Sequence, residues 1–236
     1  MEYFVSGIGT DVGKTVVSAL LCETLQANYW KPVQAGDLDN SDSIKVRRWI
    51  DPELTVFPEA HRLNTPASPH FAAELDGVEI QPGALRLPES ERKLIIEGAG
   101  GLLVPLNRHH TYADLLQVWD IPVILVSRNY LGSINHTLMS IEVLQQRGIP
   151  LAGIVFNGEP TPSTESIIAS YSDITVLGHV PQVDRVDREF IRAFSREWKE
   201  ELLTNLNERH PLNEAIERKV RLNFPKKENR PHGAAS

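Results

Sequence analysis

This sequence is short of cysteine, of long apolar runs and of any excess of basic residues, and each shortage excludes something. Its single cysteine, Cys22, rules out a disulfide within the chain and leaves no zinc-binding spacing. No apolar run reaches the length of a membrane span. The chain opens directly on a β-prone stretch with no charged and apolar leader, so a cytoplasmic protein is expected. Lys and Arg number 24 against 31 Asp and Glu, and the formal charge of −7 argues against a general binder of nucleic acid or acidic membrane. Internal repeats and low-complexity blocks are also lacking. What remains is 236 residues, 41% hydrophobic and 23% charged, enough for one soluble domain with a substantial core.

The chain is organised around residues 2–25. An apolar run, Tyr3-Phe4-Val5, ends in the glycine-rich loop Gly7-Ile8-Gly9-Thr10-Asp11-Val12-Gly13-Lys14-Thr15. The loop enters a helix whose apolar residues Val16, Val17, Leu20, Leu21 and Leu25 recur at helical spacing. Strand, glycine loop, Gly-Lys-Thr and helix in that order make a phosphate-binding loop. Glycines let successive backbone N–H groups turn toward phosphate oxygens, and the helix N-terminus adds its positive dipole end. Lys14 then reaches the outer phosphates, and the Thr15 hydroxyl is placed to ligate Mg²⁺. Five residues separate Gly7 from Gly13 where the common motif has four, so the loop is a variant.

Short apolar strands and amphipathic helices alternate along the rest of the chain. Strands are expected at 28–33, 93–97, 121–126, 151–156 and 175–179, and helices at 42–49, 71–75, 112–118, 133–146, 163–171 and 187–206. Proline-punctuated residues 51–70 read as irregular. The pattern predicts an α/β fold, a mainly parallel sheet with helices on both faces. Residues 1–210 are assigned to one domain and 211–236 to a C-terminal extension ending in a mobile tail. Phe190, Phe194, Trp198 and Leu202, at four-residue steps, form a stripe for core or subunit contact.

In such folds ligands bind outside the carboxyl ends of the strands, where the polar candidates lie. Glu97 closes an apolar strand and runs into Gly98-Ala-Gly-Gly101, a position from which a carboxylate holds a metal or its water shell. Ser41 or Asp42 can cap the helix that runs to Trp49, yet Asp42 with Glu97 and Thr15 would complete the hard oxygen set that Mg²⁺ prefers. Lys31, at a strand end, can stabilise charge on a transferring phosphoryl group or be an edge-strand surface lysine. Asn157 can read a base edge or sit in a turn before Gly158. Residues 132–135 open a helix, and its free N–H groups can receive a carboxylate or form an ordinary Ser-capped start. Ser68-Pro69-His70 has no accompanying nucleophile arrangement, and His109, His110 and His136 have no metal-ligand spacing.

Five separated stretches together resemble the dethiobiotin synthetases, within the P-loop NTPase-like folds. They are the expanded loop through Lys14-Thr15, Lys31-Pro32-Val33, Asn40-Ser41-Asp42, Glu97-Gly-Ala-Gly-Gly101 and Leu131-Gly-Ser-Ile-Asn135. The resemblance spans residues 2–185 and includes Gly178-His-Val-Pro181. It implies an ATP-dependent cyclo-ligase. In the family, 7,8-diaminononanoate takes up CO₂ as a carbamate, and the carbamate attacks the γ-phosphate of ATP to give a carbamic–phosphoric anhydride. The second amine then closes the cyclic urea.

By motif, Lys14, Lys31 and Thr10 would be catalytic, and Thr15, Asp42 and Glu97 would hold Mg²⁺. Gly9, Thr10, Asp11, Val12, Gly13, Lys14, Thr15, Val16, Asn157 and Pro181 would bind the nucleotide. Lys31 with Gly132, Ser133, Ile134 and Asn135 would bind substrate, the last four from the neighbouring subunit of a homodimer. Ala35 stands where many members carry a hydroxyl. Two other readings compete. A cobyrinate-type amide ligase would need a cysteine-dependent ammonia source for which the chain has no room. A partition- or positioning-type switch ATPase would carry a lysine where this loop has Gly9.

Overall fold

The computed structural model describes residues 1–207. The expected extension at 211–236 lies outside the described residues. Six strands form one sheet in the order β2-β5-β1-β6-β7-β8. They are β1 (Glu2–Gly7), β2 (Asn28–Trp30), β5 (Leu94–Gly101), β6 (Val123–Arg128), β7 (Leu151–Asn157) and β8 (Val176–Val180). All five pairings between them are parallel. The α/β fold expected from the alternation is therefore the fold observed.

The strands are apolar almost throughout because helices cover both faces. Phe4, Leu94, Ile96, Val123, Leu125, Ile154 and Phe156 point into one core layer. Their neighbours Tyr3, Val5, Ile95, Ile124, Val126 and Val155 point into the other. The first layer lies under α4 (Tyr112–Trp119), α5 (Ser133–Arg147) and α6 (Pro162–Ser172). The second lies under α1 (Lys14–Leu25), α2 (Asp42–Trp49) and α7 (Arg188–Asn207).

The Trp198 stripe is core within its own chain. Trp198 and Leu202 are buried with Ile191 against α1, and the Trp198 indole donates to the Leu177 carbonyl at 2.8 Å. Gly178 permits this contact: a Cβ there would stand 2.1 Å from Trp198 Nε1.

Two expectations about the middle of the chain change. The strand expected at 28–33 breaks at Lys31-Pro32. Its second part, β3 (Val33–Ala35), leaves the main sheet and pairs in parallel with β4 (His61–Leu63), inside the stretch expected to be irregular. Pro32 has no N–H for a ladder, so the chain turns there and Lys31 is freed from pairing. The strand expected at 93–97 runs on through the glycines to Gly101, which pairs with Gly7. The helix expected at 71–75 starts earlier, as α3 (Pro69–Leu75). No helix among the described residues is long and apolar enough to cross a membrane.

Candidate active site

β1 delivers the glycine loop to the middle of the sheet, between β5 and β6. Asp11 and Gly13 adopt positive φ, 56° and 94°, which folds the loop back on itself ahead of α1. Nothing larger than glycine fits at two points. A Cβ on Gly7 would come 2.6 Å from Val12, and one on Gly13 would come 2.1 Å from the Asn157 amide nitrogen. Lys14 is buried and its ammonium donates to the Gly9 carbonyl at 2.9 Å, across the cradle the loop encloses. Burial pulls the Lys14 pKa below the usual lysine value, although Glu97 opposes the shift.

A cluster of buried charge lies below the loop. Lys31 Nζ stands 2.7 Å from Asp42 Oδ2 and 3.2 Å from Glu97 Oε1. Burial pulls the Lys31 pKa down, but Glu97 and then Asp42 outweigh it and push the pKa above the lysine range. Lys31 is therefore a fixed positive charge. Burial likewise pushes the Asp42 carboxyl up, and Lys31 more than reverses the effect, leaving it below the usual carboxylate value. Thr15 Oγ1 donates to Glu97 Oε1 at 2.9 Å, and Tyr29 donates its phenol to Glu97 Oε2, also at 2.9 Å. Ser41, and not Asp42, caps α2 by accepting the Ile44 N–H, so the Asp42 carboxylate is available to Lys31. Lys45, one turn on, reaches Asp42 at 3.6 Å and Asp37 at 3.1 Å.

Loop and cluster line one cavity of about 720 Å³. Its walls include Thr10, Asp11, Gly13, Lys14, Thr15, Lys31, Asp42 and Glu97, which the sequence had spread over some ninety residues. Gln34 and Lys45 also line it; sequence reading did not single them out. Lys45 carried a signal, since it lies three residues after Asp42 and therefore on the same helical face. Ala35 lines the cavity too and presents only a methyl group. Thr15, Asp42 and Glu97 make an all-oxygen donor set of the kind that suits Mg²⁺, which takes few protein ligands and completes its shell with water and phosphate.

Comparisons with known proteins give the family of the chain. The AAA domain family matches residues 1–189. An ATP-dependent dethiobiotin synthetase BioD from Christiangramia forsetii is 50% identical over 202 residues, 85% of this chain and 97% of that protein. The chain belongs to the ATP-dependent dethiobiotin synthetase family. It is thus an ATP-dependent ligase of biotin biosynthesis built on a phosphate-binding loop. A second synthetase of this name, from Rhodopseudomonas palustris, is 50% identical over 196 residues, 82% of this chain and 92% of that one. Among solved structures, a putative plasmid partition protein from Borrelia burgdorferi bound to AMPPNP superposes with a TM-score of 0.51. It is 11% identical, covers 86% of this chain and 97% of that one, and shows the fold alone.

Other residues expected at the site stand apart from the cavity. Asn157, at the end of β7, donates from Nδ2 to the Val12 carbonyl at 3.0 Å, behind the loop. Because that carbonyl can only accept, the amide nitrogen is the atom turned to it. Pro181, just past β8, is exposed. Gly132, Ser133, Ile134 and Asn135 open α5 but do not line the cavity of their own chain. Leu131 beside them is fully exposed, with Tyr130, Ile134 and Met139 also on the surface. His70 turns out of the site, bonding Ser68 at 3.1 Å, and faces a smaller cavity of about 270 Å³. His110 and His136 pair with Asn107 and Tyr130, and the described residues hold no cluster of three metal-binding side chains of the His, Cys, Asp or Glu type.

Proposed function

We propose that this synthetase closes the cyclic urea of dethiobiotin from 7,8-diaminononanoate, CO₂ and ATP through a phosphorylated carbamate. One observation carries the reading: a buried Lys31 is held between Asp42 and Glu97 in the same cavity as Lys14 and the phosphate-binding loop. A carbamate is a poor electrophile until one of its oxygens is phosphorylated. Phosphoryl transfer needs positioning and charge neutralisation more than covalent help, so a site whose lysines supply positive charge beside a phosphate-binding loop suits it.

In the proposed sequence, one substrate amine adds to CO₂ and loses a proton, giving the carbamate anion. A carbamate oxygen attacks the γ-phosphorus and ADP leaves. The second amine attacks the carbonyl carbon of the mixed anhydride, the C–O bond to phosphate breaks, and inorganic phosphate departs as the ring closes. Lys31 binds the carbamate oxygens and steadies the charge that moves onto the transferring phosphoryl group. Lys14 leaves Gly9 to hold the outer phosphates, and Thr10 and Asp11 close the rim above them. Gly9, Val12, Gly13 and Val16 shape the cradle. Thr15, Asp42 and Glu97 would hold Mg²⁺, which when bound neutralises phosphate charge. Asn157 would read the adenine edge with an amide that can both donate and accept, and Pro181 would flank the same edge.

The substrate's carboxylate would meet the N-terminus of α5, at residues 132–135, from a second subunit. Their position off the cavity of their own chain and the apolar surface around them support a homodimer with shared sites. Residues 1–210 act as the single ligase domain in this reading, in the cytoplasm, and no nucleic acid takes part. The test is direct. Purified protein supplied with diaminononanoate, bicarbonate, Mg²⁺ and ATP is expected to make dethiobiotin and ADP in equal amounts. ATP consumption without the cyclic urea overturns the proposal.

A further inference from the structure

Glu97 lies at the centre of the charge cluster, and its two oxygens are treated differently. Oε1 faces the cavity side of the cluster, where Thr15 donates at 2.9 Å and Lys31 at 3.2 Å. Oε2 is engaged by the Tyr29 phenol at 2.9 Å. Strand register explains how Tyr29 reaches it. Tyr29 pairs with Ile95 across β2 and β5, and Ile95 and Glu97, two residues apart on one strand, share the face beneath α1. A tyrosine at that point spans the diagonal to the strand-end carboxylate. Both side chains are sealed from solvent, Tyr29 at 0% and Glu97 at 1% exposure. The ring fills the core layer with Val5, Cys22 and Ile95, a task phenylalanine would perform as well. The hydroxyl therefore has a function separate from packing.

We propose that Tyr29 is a positioning residue whose phenol pins Oε2 of Glu97, so that Glu97 presents a single oxygen, Oε1, to Thr15, Lys31 and the bound cation. The proposal rests on the reading of Thr15, Asp42 and Glu97 as the cation-holding group. A carboxylate free to turn offers either oxygen, or both, and loses the fixed bite that a small cation with strict octahedral demands requires. With Oε2 tied by a buried donor, rotation of the carboxylate breaks a hydrogen bond and leaves an oxygen unpartnered in an apolar wall. Tyr29 holds the metal-side oxygen in place from behind without touching substrate, nucleotide or metal. Partners of metal ligands act in this way generally, and their loss costs metal affinity while the ligand itself stays in place.

The experiment compares wild type with Tyr29→Phe by calorimetric titration of ATP, once in EDTA and once over a series of Mg²⁺ concentrations. In EDTA the two proteins should bind ATP within about twofold of each other, while the Mg²⁺ concentration for half-maximal enhancement of ATP binding should rise about tenfold in the variant. In turnover, kcat should fall and the KM for diaminononanoate should stay near its wild-type value. Tyr29→Leu, which also lacks the donor, should shift metal dependence the same way. Introduced into Glu97→Gln, Tyr29→Phe should produce no further shift. An unchanged Mg²⁺ dependence in both tyrosine variants overturns the proposal, as does an equal loss of affinity with and without metal, which marks a purely structural role. If ATP binding by the wild type ignores Mg²⁺, the cation reading falls first and Tyr29's role with it. A wild-type dependence that the variants leave unmoved defeats the Tyr29 role alone.

Discussion

Lys31 shows why the site can carry charge in a nearly dry place. An isolated ammonium there would be costly, but two carboxylates within 3.2 Å hold it in its charged form. Replacing it removes the only positive charge lying between Asp42 and Glu97 among the described ion pairs. Lys31→Met is therefore expected to lower kcat by about a thousandfold, the scale seen when a preorganised charge or donor is removed, while ATP affinity stays within about threefold. A steady-state and binding comparison checks this, and unchanged turnover would remove Lys31 from the chemistry. Lys31, Asp42 and Glu97 were legible in the sequence because each follows or faces the end of a recognisable element. Tyr29 was not, since its role depends on which strands become neighbours and in what register, and β2 and β5 are more than sixty residues apart in the chain. Gln34 escaped for a similar reason: it lies past the Pro32 break, where side-chain direction could not be projected from the strand before it.

At the scale of elements, apolar alternation made the main sheet and its covering helices legible, and proline explains most of what was misjudged. Pro32 divides one expected strand into β2 and β3. β4, only three residues long, hides between prolines and takes its pairing from β3 and not from any periodicity of its own. The starts expected for α4 and α5 match the observed ones, the first behind a polar cap and the second behind Gly132. At α4, Thr111 and Asp114 form a reciprocal capping box, and Asp114 also meets Arg147 of α5 at 2.6 Å. Burial raises the Asp114 carboxyl, but the Thr111 N–H and hydroxyl, with Arg147, more than compensate and hold its pKa at about 2. An aspartate lowered in this way stabilises the fold above its unfolded value of about 3.9 and loses that contribution as pH falls toward 2. Asp114→Asn should thus cost about 1 kcal/mol at neutral pH, the scale of a lost helix cap, and progressively less between pH 4 and pH 2. Urea midpoints across that range give the comparison. A deficit that stays constant down to pH 2 would show that the charge has no part in it.

At the scale of the whole molecule, the sheet assembles the phosphate half of the site from one chain and leaves the α5 start on the outside. If sites are shared across a two-fold axis, two different defects placed in different subunits complement each other. Mixing Lys31→Met with Asn135→Asp, each nearly inactive alone, should restore about a quarter of wild-type activity, because random exchange makes half the dimers mixed and gives each of those one intact site. No recovery after demonstrated exchange of subunits would place residues 132–135 at the site of their own chain.

In the proposed reaction the cavity activates a carbamate by phosphorylating it. The most direct measurement follows heavy oxygen from labelled bicarbonate during turnover with diaminononanoate and ATP. The carbamate takes both its oxygens from CO₂, and the one that attacks the γ-phosphorus leaves with it when the ring closes. One bicarbonate-derived oxygen is expected in each inorganic phosphate released and one in the urea carbonyl. Unlabelled phosphate formed together with dethiobiotin would contradict that reaction.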